Sequence, residues 1–349
     1  MKRKLIFWSG LGLTLLAFSV VVSVSMGTAP LPVAQVWHIL LHHIPRAGSS
    51  IQPYWPESSE QIVMLVRFPR VCLAILVGGA LSLAGAGFQG VLRNPLADPY
   101  TLGVASGASV GAAFLILFGL QHVLFGKWTV PVVAFLTGMV SLWLVLRLSN
   151  LHGKFQIETL ILAGVVVQAF LSAWVSFMVA MSKEVINEVL YWLMGSLTLR
   201  GWDYSILMLP YVLFGLTALL GFGRSLNLFA IGERHAAHLG VHVERTKLTV
   251  LMISTLLTAA AVSVSGVIGF VGLIVPHLVR LMAGPDYRII VPLSALFGGI
   301  YVLWADTLAR MLLSPTEIPL GVITAFLGAP FFAYLLIRHK RKMIQGGMG

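Results

Sequence analysis

The residues best equipped for chemistry sit in one polar island, GERHAAHLGVHVERTK at 232–247, with long apolar runs on either side. It carries Glu233, Arg234, Glu244, Arg245 and Lys247, with His235, His238 and His242 between them. Spacings of three and four put the histidines on one helical face, and imidazole is a good zinc ligand. Gly240 interrupts the segment and no cysteine lies near to complete a site, so the expectation is polar surface histidines and no bound metal. Asp306 is the clearest carboxylate inside an apolar run, and Arg310, four residues on, shares its helix face and can pair with it. Arg67 and Arg70, in RFPR at 67–70, lie just before another apolar run. Such arginines suit bidentate contact with carboxylates or snorkelling to an interface. Neither a phosphate loop nor a zinc-protease helix is present. GKW at 126–128 lacks the glycine spacing and the Ser/Thr of a phosphate loop, and H-E-x-x-H does not occur. The single cysteine, Cys72, excludes an internal disulfide and a thiolate metal cluster.

The elements that must hold these residues are helices in lipid. Of 349 residues, 58% are apolar and 10% charged, and the mean hydropathy is +0.92. A soluble fold would lack the polar residues to cover it. A bilayer core of about 30 Å takes about 20 apolar residues per helix, and backbone in lipid must bond within its own segment. The alternating short segments of a barrel are not seen. The expected class is an all-α polytopic membrane protein with about ten transmembrane helices, near residues 5–26, 71–92, 101–120, 129–148, 159–181, 203–222, 247–266, 267–283, 289–310 and 319–337. The seventh and eighth are separated by little more than Ser265, Gly266 and Gly269. MKRK followed by an apolar stretch reads as a retained first helix.

Charge tests this layout. With the N-terminus in the cytoplasm and ten crossings, 16 of the 23 Lys+Arg and five of the 12 Asp+Glu fall inside. The whole net charge of +11 then lies inside and none outside, the bias of the positive-inside rule. Orientation thus explains the basic residues, and no nucleic acid is invoked. Both termini are expected in the cytoplasm. An outer segment at about 27–66 contains an amphipathic helix near 31–44, with Val33, Val36, Trp37, Leu40 and Leu41 facing the membrane surface. A second outer segment, 182–200, offers Tyr191 and Trp192 to the interface. Small residues at 78–90 and 102–113 let helices approach closely. Helices two to five and seven to ten would run oppositely, and each block begins with a Gly/Ala-rich helix leading to a proline, which suggests an inverted repeat.

Several strings then accumulate: RFPR (67–70), GAGFQGVLRNPLADPYTLGVASGASVGA (85–112), GERHAAHLG (232–240), GVIGFVGLIVPHLVR (266–280), ADTLAR (305–310) and EIPLGVITAFLGAPFFAYLL (317–336). Together they resemble the FecCD-type permeases, membrane subunits of bacterial ABC importers for ferric siderophores, haem and cobalamin. The resemblance runs from about Arg67 to Arg338. It implies a single transmembrane permease domain over 1–349 in the bacterial cytoplasmic (inner) membrane, with ten helices and a path at a homodimer interface. It implies two separate ATP-binding cassette subunits, which carry ATP and Mg, and a periplasmic or lipid-anchored substrate-binding protein. This chain would then be no enzyme and hold no cofactor.

The resemblance also implies roles for particular residues. A cytoplasmic coupling segment at about 223–247 would seat on the ATPase, with Gly232, Glu233, Arg234, Ala236, Ala237, Leu239 and Gly240 at its centre. Arg67, Arg70 and Arg310 match positions that meet acidic residues of the binding protein. Gln156 and Ile157 stand where the family closes its cytoplasmic mouth; an ordinary helix start near Glu158 is the alternative. An ion-coupled secondary transporter is the rival reading, and it needs buried ionisable relays.

Overall fold

The computed structural model describes residues 2–44, 52–149, 157–181 and 185–346, and these are mainly helical with no strand among them. The ten expected spans each coincide with a helix: α1 (Lys2–Ser25), α4 (Phe68–Leu92), α5 (Val104–Leu117), α6 (Thr129–Ser149), α7 (Ile157–Met181), α9 (Trp202–Gly221), α12 (Val243–Ser265), α13 (Val271–Ala283), α14 (Tyr287–Met311) and α15 (Leu320–Gly346). Short helices lie between them: α2 (Val33–His42), α3 (Glu57–Gln61), α8 (Ile186–Leu193), α10 (Gly223–Ile231) and α11 (Glu233–His238).

Among the described residues, seven helices are long and apolar enough to cross a membrane. Three spans fall short. α5 has 14 residues and α13 has 13, about 20 Å each at 1.5 Å per residue, and the apolar part of α15 is Leu320–Tyr334. α5 and α13 share one design. Each is the second helix of its block, and each follows a non-helical or 3₁₀ segment, 93–103 or 266–270, that folds back into the bundle. The turn expected at Ser265–Gly266 is present: α12 ends at Ser265 and Gly266 takes φ 70°.

Backbone that leaves a helix inside lipid must find partners within the protein, and here side chains supply them. Tyr100 Oη donates to Ile268 O at 2.9 Å and accepts from Ile268 N at 3.3 Å. Gln89 Nε2, on α4, donates to Leu273 O at 2.9 Å in the first turn of α13. Ser141 Oγ, on α6, donates to Gly103 O at 2.9 Å. The folded-back segments of the two blocks therefore touch each other, as an inverted repeat of α4–α7 and α12–α15 would place them.

α4 is the axis of the molecule. It is buried along most of its length and packs on α9, α12, α13 and α14. Close approach requires glycine at two points. A Cβ on Gly85 would collide with the backbone of Gly272, and one on Gly78 would collide with the carbonyl of Gly298. The small residues at 78–90 serve helix packing, since nearly all of them are buried.

Two local features carry α4 into position. Residues 62–67 form a π-helical stretch, in which Phe68 N bonds Val63 O. Pro69 has no N–H to continue an α-helical ladder, and the wider turn absorbs this. The Met64 carbonyl accepts Trp202 Nε1 at 2.8 Å. α2 differs from expectation. Its Val36 and Ile39 are buried in protein, while Val33 and Leu41 are exposed, and Trp37 Nε1 donates to Ser25 Oγ at 3.0 Å. The inner part of the stripe is therefore used to dock α2 on the bundle, where a helix resting on lipid was expected.

Among the described residues, the ion pairs never join loops that the charge test places on opposite sides. Alternation of the crossings is thus consistent with the structure. Gly85→Leu is expected to abolish the monodisperse detergent-solubilised protein on size exclusion, and Gly10→Leu, at an open position, to leave it intact. A normal profile for Gly85→Leu would refute the close approach.

Candidate functional site

Two polar clusters occupy opposite ends of the bundle. At one, the three arginines singled out in the sequence meet. Arg67, on the π turn, donates to Val24 O, Ser25 O and Ala29 O at 3.1, 3.2 and 2.5 Å, closing the exposed carbonyls at the end of α1. Arg70, on the first turn of α4, reaches two carboxylates. Its Nε and Nη2 bond Asp306 of α14 at 2.8–3.1 Å, and Nη1 and Nη2 bond Glu317 at 3.0 Å each. Arg310 pairs with the same Asp306 at 3.1 Å, and also donates to Met26 O and Ser23 Oγ at 3.1 and 2.9 Å.

Asp306 is fully buried, and Arg67, Arg70 and Arg310 are 4%, 6% and 3% exposed. The i, i+4 pair of Asp306 and Arg310 read from the sequence is present. Contact of these arginines with a partner's carboxylates draws no support from the geometry, because their donors are taken up by this chain's own acceptors. Glu317 was not assigned a role from the sequence. Its signal there is a lone carboxylate between two apolar spans, set before a proline. Burial pushes the Glu317 carboxyl up, but hydrogen bonds and charge from Arg70, with a 2.7 Å bond from Thr198, outweigh this and hold it below the usual range.

At the other end the polar island forms α11 and the first turn of α12, directly after α10. α10 ends at Ile231, Gly232 makes the corner at φ 131°, and α11 follows. Glu233 anchors this elbow. Its Oε1 accepts Arg93 Nη2 at 2.9 Å and its Oε2 accepts Lys247 Nζ at 2.5 Å. Arg93 is the left-handed cap (φ 51°) that ends α4, and Lys247 is a buried residue of the first turns of α12. Ala236 is fully buried beneath α11. Arg234, Ala237, Leu239 and Gly240 are exposed, and so are the apolar Ile231 (66%) and Leu239 (63%). Gly240 takes φ 84° and has open space where a Cβ would stand. His235, His238 and His242 are exposed.

The same end is tightened by Asp286, which caps α14 and accepts Asn227 Nδ2 at 2.7 Å and Arg288 Nη2 at 3.0 Å. Burial raises its carboxyl, yet the bonds from Arg288 and Asn227 prevail and lower it. Of the two gate candidates, Ile157 is the half-buried first residue of α7, and Gln156 lies outside the described residues.

A family model described as the FecCD transport family matches residues 15–338. The chain belongs to the FecCD transport family. It is 45% identical over 332 residues to the uncharacterized ABC transporter permease YvrB of Bacillus subtilis, covering 95% of this chain and 93% of the relative. It is 44% identical over 327 residues to the cobalamin import system permease BtuC of Halobacterium salinarum, covering 93% and 86%. Other relatives are named as permeases for hemin, iron(III) dicitrate and molybdate. A solved inward-facing structure assigned to the metal-chelate type of ABC transporters matches with a TM-score of 0.80 at 31% identity, over 97% of this chain and all of that one. The FecCD protein described here is thus a multi-pass membrane permease subunit of the ABC importer class, a transport component rather than an enzyme.

Asp306→Asn keeps the shape of the side chain but leaves Arg70 and Arg310 without their shared buried charge. The expected cost is roughly 3–5 kcal/mol, read as a lower melting temperature in detergent. Glu317→Gln, at a side chain 26% exposed, is expected to cost less. Because the Glu317 carboxyl is depressed, its contribution is complete above its unfolded value of about 4.3 and is lost as pH falls through the lower folded value. Equal losses for the two variants would remove Asp306 from the centre of the cluster.

Proposed function

We propose that this FecCD chain is the permease of a homodimeric importer for a metal chelate or cobalamin. Two separate ATPase subunits, holding ATP and Mg, drive it, and a binding protein delivers cargo at the end where Arg70 lies. The observation that carries the reading is the α10–α11 elbow. Its apolar tip is exposed, while its base is fastened through Glu233 to both α4 and α12. A tip of this kind buries Ile231, Ala237 and Leu239 in a groove on a partner, and the neighbouring charges select register. ATP-driven movement of that partner then reaches two of the most buried helices directly, and the bundle rocks to open the path to one side at a time.

In this reading, which the charge bias supports, the elbow and both termini face the cytoplasm and the Arg70 cluster faces outside, in the bacterial cytoplasmic membrane. On this reading Arg67, Arg70 and Arg310 brace the platform on which the binding protein sits, and contact falls to more exposed residues around them. The cargo class is supported by relatives named for cobalamin, hemin and iron dicitrate, although another is named for molybdate. The ion-coupled alternative needs a free buried relay group, whereas the buried carboxylate Asp306 is engaged by both Arg70 and Arg310.

Ala237→Trp, on the exposed face of α11, is expected to reduce transport per ATP hydrolysed by at least roughly tenfold in proteoliposomes holding permease, ATPase and binding protein. Full transport in this variant would sink the assignment of α11. In a second measurement, Ala237→Cys in a Cys72→Ser background is labelled by an impermeant maleimide in inside-out vesicles and protected in intact cells. The reverse pattern would invert the topology.

A further inference from the structure

A cleft of about 640 Å³ opens at the Arg70 end, between the end of α5, helix α8 and the stretches 196–200 and 317–319. Its ionisable lining residues are His122, Lys127, Glu188, Arg200 and Glu317. The two carboxylates are engaged within the chain. Glu317 is held by Arg70 and Thr198, and Glu188 accepts Gln121 Nε2 at 3.2 Å. Lys127 is paired with Asp203. Arg200 differs, for no carboxylate pairs with it among the described residues. Its guanidinium lies 4.8 Å from the centre of the Tyr204 ring, and Nη1 donates to Tyr204 Oη at 3.2 Å. Tyr204 Oη in turn donates to Lys127 O at 3.1 Å. The cation is therefore held in place but not neutralised.

Three buried polar atoms of this same lining have no partner among the described residues: Arg200 Nε, Trp192 Nε1 and Gln121 Oε1. A buried donor left unmade costs free energy comparable to the bond it lacks, and three around one cavity form a pattern. Leu199, at the rim, is 88% exposed in a left-handed conformation (φ 56°) that disfavours leucine. Strain of this kind clusters at binding sites.

We propose that this cleft binds an oxyanion, a carboxylate or a phosphate. The Arg200 guanidinium and the Trp192 indole N–H donate to its oxygens, and Gln121 Oε1 accepts a hydroxyl or N–H of the same ligand. A guanidinium suits such a group because its donors match paired oxygens. Ile116, Val130, Ile318 and Pro319 add apolar surface to the lining, so the anionic group is carried on a partly apolar or compact body. Two sources share this chemistry: the headgroup of a phospholipid from the surrounding membrane, and a dissolved polycarboxylate or phosphate. The site stands apart from the α11 elbow and does not depend on the identity of the cargo.

The test uses the full-length chain. In detergent, citrate and inorganic phosphate are titrated by calorimetry. In parallel, protein from nanodiscs of mixed phosphatidylglycerol and phosphatidylethanolamine is examined by native mass spectrometry for retained lipid. Saturable binding of citrate or phosphate identifies the dissolved source, and selective retention of one phospholipid identifies the membrane source. In either case Arg200→Gln is expected to weaken binding roughly tenfold or more, as loss of a charged hydrogen bond does, and Arg200→Lys to weaken it less. Trp192→Phe keeps the ring and removes the N–H, and provides a second reading should Arg200→Gln fold poorly. Absence of saturable binding and of retained lipid in the unaltered protein, or equal binding by Arg200→Gln and Trp192→Phe, overturns the proposal.

Discussion

Lipid offers no hydrogen bonds, and that single constraint shapes this molecule. Wherever the backbone leaves a helix inside the bundle, some side chain must answer it. The folded-back segments before α5 and α13 are permitted because Tyr100 serves Ile268, Gln89 serves the start of α13, and Ser141 serves Gly103. Those short bonds require backbones to lie almost in contact, and this is what Gly85 and Gly272 allow. The glycine pattern of α4 and the position of Gln89 are thus parts of one arrangement.

α4 also joins the two ends. Arg70 on its first turn reaches Asp306 and Glu317, and Arg93 at its cap reaches Glu233. These arginines are 23 positions apart, about 35 Å of helix at 1.5 Å per residue. A rigid helix fixed by charge at both termini is a suitable strut between an elbow on one face and a platform on the other. The buried pair at one end is the stronger joint. The half-exposed pair at the other, Arg93 with Glu233, is the one that salt and water weaken.

Much of this was legible in the sequence, because hydropathy and charge are one-dimensional signals. The ten helices, the turn at Gly266 and the i, i+4 pairing of Asp306 with Arg310 all follow from local patterns. What was hidden required knowledge of neighbours distant in the chain. Arg70 meets a carboxylate 236 residues away and another 247 away, and nothing local marks those partners. α5 and α13 read as longer spans because a few largely apolar residues flank them, 101–103 and 118–120 for α5 and 267–270 for α13, and carry hydropathy like that of helix. The face of α2 was ambiguous for a similar reason: an apolar stripe does not say whether lipid or protein covers it. Glu233 was read as part of a charged docking surface, while its folded role includes fastening α11 to α4 and α12.

The π stretch at 62–67 has one further consequence. A turn of this type holds one more residue than ordinary helix geometry requires. Losing a single amino acid there would let the coil close to standard winding, with α3 and α4 keeping nearly their present mutual direction. The same loss within the regular winding of α4 would turn everything upstream by about 100° and carry Arg70 away from Asp306. The short stretch IVMLVR is therefore a place where the chain can change by one residue without re-aiming the segments on either side.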